Sequence, residues 1–276
     1  MPEGDSVWRA AGRLNLGLQG HRLVRSDFRV PQHAAADLGG RTVLGTSTHG
    51  KHLLTRFDDG TTLHTHFAMD GSWTVVARGR RLPRHLEPDV RVLLVSERGP
   101  QAYGLSIPVV ELVATRDEHT IVGHLGPDPL RPDWDADEAA RRLATRPARP
   151  AVAALLDQRL IAGLGNLWVN ELLFVRGHHP WSPVEELDLP ATVATAARML
   201  RQSIGVRGNG QVTTGDTRPG HEHWVYGRAG EPCRRCGTRV QVEAEVPGDS
   251  ERRRTWWCPT CQPAPRGRGA ATTSFH

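Results

Sequence analysis

The apolar residues near the start of the chain have helical spacing. They recur every three or four positions with arginines between them, which predicts an amphipathic helix over residues 5–18. The positions that carry this pattern are Val7, Trp8, Ala11, Leu14 and Leu18.

Short runs of apolar and β-branched residues follow, and we expect them to form strands. The predicted strands cover residues 23–30, 51–57, 61–66, 73–76, 90–95 and 109–114. Asp58-Asp59-Gly60 is a hairpin turn signal between two of these strands. A helix followed by many short strands predicts a β-sandwich first domain.

The pattern changes near His119 and then becomes helical. Residues 125–132 are rich in proline and predict a linker. Helices are predicted over residues 135–145, 150–156, 165–174 and 190–206. Ser182-Pro183 fits a helix cap followed by proline at the first helical position. A glycine-rich stretch, 205–220, leads to a last segment, 223–262, and the chain after Pro263 is predicted to be disordered.

Composition narrows the class of protein. With 276 residues the chain is long enough for two or three domains. The net charge is +5 although acidic residues are plentiful, which indicates that basic and acidic residues are arranged in a pattern on the surface. A polyanion is the first partner to consider for such a surface. No apolar run approaches the roughly 20 residues that span a bilayer, and the acidic start does not resemble a secretory signal. We therefore expect a cytoplasmic protein.

All four cysteines lie in the last segment, as two C-x-x-C pairs: Cys233, Cys236, Cys258 and Cys261. In a cytosolic protein this spacing predicts one structural Zn²⁺ held by four thiolates, with no open coordination position. The alternative is a redox pair. Arg234, Arg235 and Gly237 fit a tight zinc knuckle.

Two segments could contact phosphates. Gly163-Leu164-Gly165-Asn166 has neither the third glycine nor the βαβ context of a dinucleotide site, but it could bind a phosphate at the next helix start. An ordinary helix hairpin is the alternative. A basic cluster is formed by Arg252, Arg253 and Arg254, with Arg266 and Arg268 further along the chain. It could bind a phosphate backbone, or it could simply be solvated.

Two features suggest chemistry. Lys51 is the only lysine among 35 lysines and arginines, and an ammonium can release its proton where a guanidinium cannot. It is a candidate for proton transfer, unless it is a chance remnant in an arginine-rich chain. Pro2 would become a free secondary amine if Met1 is removed, and an amine of this kind can form a Schiff base with a sugar. Glu3 beside it could move protons.

Taken in order, five motifs resemble the formamidopyrimidine-DNA glycosylase and endonuclease VIII family across nearly the whole chain. They are Met1-Pro2-Glu3-Gly4, His49-Gly50-Lys51, Leu125-Gly126-Pro127-Asp128-Pro129-Leu130, Gly163-Leu164-Gly165-Asn166, and Val225-Tyr226-Gly227-Arg228. The resemblance implies an α+β multidomain fold: a helix and β-sandwich domain, a helix–two-turn–helix domain and a zinc-ribbon β-hairpin, with DNA in the cleft between domains. The domain boundaries we expect are 1–118, a linker 119–132, 133–222, 223–262 and a tail 263–276.

The resemblance also implies roles for individual residues. Pro2 matches the Schiff-base nucleophile, Glu3 the acid that opens the deoxyribose, and Lys51 the lysine of proton transfer and phosphate contact. Asn166 matches a phosphate-binding asparagine. These positions would make the chain a bifunctional glycosylase and abasic-site lyase.

Two further positions complete the implied site. Arg253 matches the zinc-finger arginine linked to δ-elimination and DNA phosphate, and Arg252 and Arg254 are out of register with it. Met69 falls where the family inserts side chains into the gap left by the flipped base. The implied partner is damaged double-stranded DNA, and no membrane is involved. The resemblance also implies a monomer that is associated with the nucleoid of a prokaryote.

The chain departs from the family pattern at two places. Asp5 and Ser6 stand where many members have Pro-Glu, which removes support for a base-contacting role there. The segment 211–222 does not resemble the longer one of the 8-oxoguanine branch. The chain is therefore most like endonuclease VIII, which implies oxidised pyrimidines. Alternatives are an 8-oxoguanine or formamidopyrimidine glycosylase, a non-catalytic lesion-binding protein on the same scaffold, and a zinc-ribbon transcription factor.

Overall fold

The computed structural model describes residues 2–206, 210–243 and 253–264. The chain divides into two compact units, Met1–Leu125 and Gly126–His276. Met1, Arg252, Arg266, Arg268 and most of the predicted disordered tail lie outside the described residues.

The first unit is one long helix followed by two antiparallel sheets of four strands each. One sheet has the strand order β1-β6-β7-β5 and the other β2-β3-β4-β8. The elements are α1 (Gly4–Leu18), β1 (Leu23–Phe28), β2 (Val43–His49), β3 (His52–Phe57), β4 (Thr61–His66), β5 (Ser72–Val76), β6 (Val90–Ser96), β7 (Gln101–Leu105), β8 (Val109–Ala114) and α2 (His119–Val122). The predicted helix and β-sandwich are confirmed.

Buried apolar residues that alternate along the strands form the core of this unit. Leu53 and Phe57 on β3 and Leu63 on β4 are buried in one cluster with Leu14 and Leu18 of α1. The helix packs closely on β5 because position 17 is glycine: a Cβ there would lie 2.8 Å from Val75 Cγ1.

Two strands of the sandwich were not predicted. β2 contains Gly45, where the register shifts against β3 and φ is +155°, and beyond Gly45 its buried residues are Thr46 and Thr48 rather than aliphatic ones. β7 also carries a glycine, Gly104. Hydroxyl and glycine positions give weak apolar alternation, so the sequence pattern did not show these strands. The predicted strand over 51–57 begins one residue later, because Lys51 lies in the turn before it.

The second unit is helical, with a small hairpin near its end. Its elements are α3 (Ala136–Ala144), α4 (Ala151–Leu156), α5 (Asn166–Arg176), α6 (Leu189–Gly205), β9 (Gln241–Glu243) and β10 (Thr255–Trp257). Side chains of Asp135 and Asp188 cap α3 and α6. The helices bury a core around Trp168, which is 1% exposed.

The predicted cap at Ser182-Pro183 is wrong as a helix start. A single 3₁₀ turn, Val184–Glu186, follows it, and the next helix begins at Leu189 with Asp188 as its cap. The carboxylate of Asp188 accepts a hydrogen bond from the Ala191 N–H, a stronger helix signal than the proline. Within the described part of the chain, no helix combines the length and the apolar character needed to cross a bilayer.

Candidate active site and nucleic-acid-binding elements

Pro2 and Glu3 lie directly before α1. Glu3 is the N-cap residue, with an extended backbone whose carbonyl accepts the first helical hydrogen bond from Val7 at 3.0 Å. Its side chain is fully buried, at 0% exposure. A helix N-terminus favours a negative charge, so this position suits a buried carboxylate next to Pro2.

One side chain fixes α1 on the sheet. Asn15 Nδ2 donates to the Thr46 carbonyl at 2.9 Å, and Asn15 Oδ1 accepts from the Thr46 N–H at 2.6 Å. One helical turn further along, Gln19 Nε2 donates to the Leu44 carbonyl at 3.2 Å. Since Gln19 lies opposite Leu44 and Asn15 opposite Thr46, the helix and β2 run antiparallel.

This antiparallel pairing brings two predicted site elements to the same end of the first unit. From Asn15 the helix extends about 17 Å back to Gly4, and from Thr46 the strand extends about 10 Å on to His49, both in the same direction. Pro2 and Glu3 continue from one of these ends, and the turn that carries Lys51 continues from the other.

Lys51 occupies the tip of a two-residue hairpin. His49 pairs with His52 across the turn, so Gly50 and Lys51 form the whole connection. Gly50 has φ +58°, whereas Lys51 is not among the residues with positive φ, which is the pattern of a type II′ turn. The turn therefore explains the glycine before Lys51.

A cluster of histidines surrounds this hairpin, and the sequence analysis did not single it out. His52 Nδ1 lies 2.8 Å from His64 Nε2, and His64 Nδ1 lies 2.8 Å from Glu111 Oε2. The His52 ring also packs 4.8 Å from that of His66. Burial, and then the charges of His66, His64, His124 and His49, lower the pKa of His52 to about 3, so its ring is neutral. The alternating His64-Thr65-His66 on a predicted strand was the available signal.

Met69 stands on a tight turn after β4. The Gly71 N–H donates to the Phe67 carbonyl at 2.9 Å, Ala68 has φ +49°, and Phe67 is buried. Met69 is 60% exposed. An anchored turn that presents an apolar side chain to solvent suits insertion into an apolar gap such as a base stack.

Asp5 has a structural partner. Its carboxylate is fully buried and forms an ion pair with Arg9, one helical turn away, at 3.1 Å. The Arg9 side chain is 9% exposed.

In the second unit, Asn166 joins α5 to the residues that lead into β10. Asn166 Nδ2 donates to the Arg254 carbonyl at 2.9 Å, and Asn170 Oδ1 accepts from the Trp256 N–H at 2.7 Å. Asn170 Nδ2 also donates to Asn166 Oδ1 at 3.0 Å. This ladder places Arg253, which is partly exposed, directly beside the start of α5.

The Gly163-Leu164-Gly165 segment is the turn between α4 and α5. Gly163 has φ +92°, and its N–H donates to Gln158 Oε1 at 3.0 Å. Gln158 Nε2 in turn donates to the Leu164 carbonyl at 2.7 Å. The side chain of Gln158 thus fixes the shape of this turn.

Glu171 is a further buried carboxylate, which the sequence analysis missed. It is 0% exposed, and its two oxygens accept hydrogen bonds from the N–H groups of Trp224, Val225 and Tyr226, each at 2.8 Å. The Thr213 hydroxyl donates to it as well. The helical spacing of Asn166, Asn170 and Glu171 on one turn of α5 was the available signal. These contacts hold the segment before the cysteines against α5.

The four cysteines form one cluster. Their sulfur atoms all lie within 4.8 Å of one another, with Cys236 and Cys258 3.4 Å apart and Cys233 and Cys261 3.9 Å apart. A tetrahedral zinc site with Zn–S bonds of 2.3 Å requires sulfurs about 3.8 Å apart, so the cluster fits this ion. The Gly237 N–H donates to the Cys233 carbonyl and Gly237 has φ +80°, as a knuckle requires.

The thiols differ in acidity. Hydrogen bonds with Thr238 lower the pKa of Cys236 to about 6, whereas burial raises the pKa of Cys258 and Cys261. A bound cation would favour the thiolate form of each sulfur.

Family models match both units. Residues 1–101 match the formamidopyrimidine-DNA glycosylase N-terminal domain, and residues 125–214 match the formamidopyrimidine-DNA glycosylase H2TH domain.

Relatives match along their full length. The chain is 48% identical to the "Probable endonuclease 8 2" of Streptomyces coelicolor, with 98% of this chain and 97% of the relative covered. It is 41% identical to the "DNA-(apurinic or apyrimidinic site) lyase Nei2" of Mycolicibacterium smegmatis, covering 96% and 100%. A "Formamidopyrimidine-DNA glycosylase" of Gluconobacter oxydans is 33% identical, covering 95% and 99%.

The fold also has solved counterparts. A complex of Lactococcus lactis Fpg with DNA that contains an oxidized pyrimidine superposes with a TM-score of 0.77 at 25% identity, over 95% of this chain and 100% of that one. A complex of the same enzyme with DNA that contains an AP site gives a TM-score of 0.76 at 24% identity, over 95% and 100%.

Replacement of Glu171 tests its role as an anchor. In Glu171→Gln, one acceptor becomes an NH₂ group that faces backbone donors, so we expect a loss of about 1–3 kcal/mol in the free energy of unfolding. Hydrogen exchange at the Trp224, Val225 and Tyr226 amides should accelerate together. Glu185→Gln, at an exposed position, is the matched control and should leave the exchange of these amides unchanged. Wild-type protection of the three amides in Glu171→Gln would show that the carboxylate is not the anchor.

Proposed function

The chain belongs to the formamidopyrimidine-DNA glycosylase and endonuclease VIII family, and from that premise we propose that Pro2, Glu3 and Lys51 excise an oxidised base from DNA and cut the strand at the abasic site. Its place is base-excision repair, as a DNA glycosylase and abasic-site lyase. The observation that supports the three residues is the antiparallel pairing of α1 with β2, anchored by Asn15 on Thr46, which brings Pro2 and Glu3 to the same end as the Lys51 turn.

The reaction requires access to C1′ of the damaged nucleotide, which is out of reach inside the duplex, so the nucleotide must be flipped out. Once Met1 is removed, the lone pair of the Pro2 amine attacks C1′. The C1′–N bond to the base breaks, and the base leaves with that electron pair and takes up a proton. The sugar ring opens to an iminium between C1′ and Pro2.

The iminium makes the strand cleavable. It acidifies the C2′ hydrogen, and loss of that proton expels the 3′ phosphate by β-elimination. A second elimination expels the 5′ phosphate, and water then releases Pro2. Glu3, buried beside Pro2, is suited to protonate the opening sugar oxygen and to exchange protons afterwards. Lys51, on its rigid turn, is suited to transfer a proton and to hold a phosphate.

We assign oxidised pyrimidines as the substrate class. Relatives named endonuclease 8 2 or Nei2 are 41–48% identical to this chain, whereas one named endonuclease 8 1 is 34% identical and one named formamidopyrimidine-DNA glycosylase is 33% identical. The rival substrates are 8-oxoguanine and formamidopyrimidine. The rival function, non-catalytic lesion binding, has no use for a buried Glu3 beside Pro2.

The second unit supplies DNA-binding groups in this proposal. Arg253 and the N-terminus of α5 at Asn166 contact phosphates, and Met69 of the first unit fills the gap left by the flipped base. One Zn²⁺ held by the four cysteines fixes the hairpin that carries Arg253. It takes no part in the reaction, because four thiolates saturate it. The protein acts on damaged duplex DNA as a monomer, in the cytoplasm at the nucleoid.

Borohydride trapping tests the nucleophile. With an abasic-site duplex, sodium borohydride should reduce the iminium and leave a covalent protein–DNA adduct, and peptide mapping should place it at Pro2. An adduct at Lys51 instead, or efficient trapping by Pro2→Gly that retains Met1, would refute the assignment.

Two variants separate proton transfer from phosphate binding. Lys51→Arg keeps the charge but cannot release a proton, so single-turnover excision of thymine glycol should fall by about 10²–10⁴-fold. DNA affinity at matched salt should fall much less, since one phosphate contact is a small share of binding. Arg253→Ala should instead accumulate the β-elimination product with less δ-elimination. If Lys51→Arg excised the base at the wild-type rate, Lys51 would contribute only its positive charge.

Removal of a cysteine tests the metal. Cys258→Ser should lose the single Zn²⁺ found by elemental analysis of the wild-type protein, and it should weaken DNA binding because the Arg253 hairpin loosens. Ser106→Ala, at a serine in the first unit, provides a control that should keep both. Full binding and cutting by metal-free protein would contradict a structural zinc.

A further inference from the structure

The histidines beside Lys51 occupy one face of the sheet β2-β3-β4-β8. His52 lies directly opposite His49 and His66, and His64 lies directly opposite Glu111. Residues two apart on a strand share a face, so His64 and His66 point the same way. This is the face away from the sandwich core, because the intervening Leu53 and Thr65 are buried on the core side.

The segment just before α2 is tied to the same face of the sheet. Glu118, just before α2, accepts hydrogen bonds from Arg56 at 2.7 Å and from the Thr62 hydroxyl at 2.7 Å, which closes the segment onto the sheet. His64 is 3% exposed, whereas its partner Glu111 is 50% exposed. A buried imidazole is thus linked to a carboxylate that reaches solvent.

The two hydrogen bonds in series fix the direction of each donor. A carboxylate only accepts, so His64 Nδ1 donates to Glu111. In neutral His64 the other nitrogen, Nε2, is an acceptor, so His52 Nδ1 must donate to it. Neutral His52, the residue that follows Lys51, therefore has an unprotonated Nε2, and the Glu111 carboxylate sets this tautomer through His64.

Other titratable groups face His52 from each neighbouring element. They are His49 on β2, His66 on β4 and His124 after α2, with Lys51 next in sequence. His66 Nδ1 accepts from the Ala68 N–H at 3.2 Å, so a neutral His66 has its proton on Nε2. Among the described residues, the four cysteines are the only group of three or more side chains placed to hold a metal ion.

We propose that His52, His64 and Glu111 form a proton relay that connects the Lys51 turn to solvent. The relay rests on the proposed function, which needs protons to leave the Pro2 amine and the C2′ carbon and to return to the base. When His52 Nε2 takes up a proton, its Nδ1 proton passes to His64 Nε2. The His64 Nδ1 proton passes to Glu111, which releases it to water. One proton enters and one leaves, and the reverse sequence returns it.

Ring nitrogen NMR tests the polarity of the relay without any need for catalysis. Both His52 and His64 should carry their proton on Nδ1 at neutral pH in the wild-type protein. Glu111→Gln should keep this pattern, because the amide oxygen still accepts from His64. A His52 proton on Nε2 would overturn the relay.

Kinetics test whether the relay transfers protons. Glu111→Gln cannot take up a proton, so single-turnover excision of thymine glycol should slow by about tenfold. This loss is smaller than that expected for a group that itself transfers a proton to the substrate. His64→Ala should slow at least as much, and added imidazole should restore its rate in a saturable way. Wild-type rates in Glu111→Gln, or a slow His64→Ala that imidazole does not restore, would overturn the proposal.

Glu118→Gln is the matched control. It alters a carboxylate on the segment that is tied to the same face but contacts Arg56 and Thr62 rather than a histidine. It should lower the melting temperature and leave the rate and its response to imidazole unchanged. An equal loss of rate in Glu118→Gln and Glu111→Gln would mean that the face acts only through its packing. A wild-type protein that excises no base would refute the proposed function. The ring NMR would still show which nitrogens of His52 and His64 carry protons, so the two failures can be told apart.

Discussion

The candidate site of the first unit depends on how the Asn15 side chain binds the backbone of Thr46. A single amide satisfies both the N–H and the carbonyl of one strand residue, and it does so from the last turn of a helix. Because a helix and a strand are both stiff, one anchor point and a second contact at Gln19 are enough to set their direction. Pro2, Glu3 and Lys51 belong to elements that are remote in sequence, and this pairing is what gives them a common end.

The second unit uses one helical turn in a similar way. Asn166, Asn170 and Glu171 share the start of α5, and their side chains bind backbone groups of two separate segments: β10 with its preceding residues, and residues 224–226. Buried carboxylates and amides of this kind are costly unless every hydrogen-bonding group has a partner. Here the partners are backbone groups of the segments that lead to the cysteines, so these polar contacts help to order the segments alongside the apolar packing of Val225 and Trp256.

Much of this could be predicted from the sequence where the signal is local. The helix before the sandwich, the hairpin turn at Asp58-Asp59-Gly60 and the spacing of the cysteines follow from period, turn geometry and coordination chemistry. The strands β2 and β7 could not be predicted, because threonine and glycine stand where aliphatic residues usually mark a strand. The contacts of Asn15, Glu171 and His64 could not either, since each joins residues whose partner depends on the tertiary fold. The individual roles of the site residues stay predictions.

The central claim is that catalysis begins at the free amine of Pro2, and the processing of Met1 offers a direct measure of it. Preparations that differ in the fraction of molecules without Met1, as counted by intact mass, should be compared in pre-steady-state excision with DNA in excess over enzyme. The account predicts that the burst amplitude equals the fraction with a free Pro2, in proportion across all preparations. A burst that does not change with Met1 retention would contradict it.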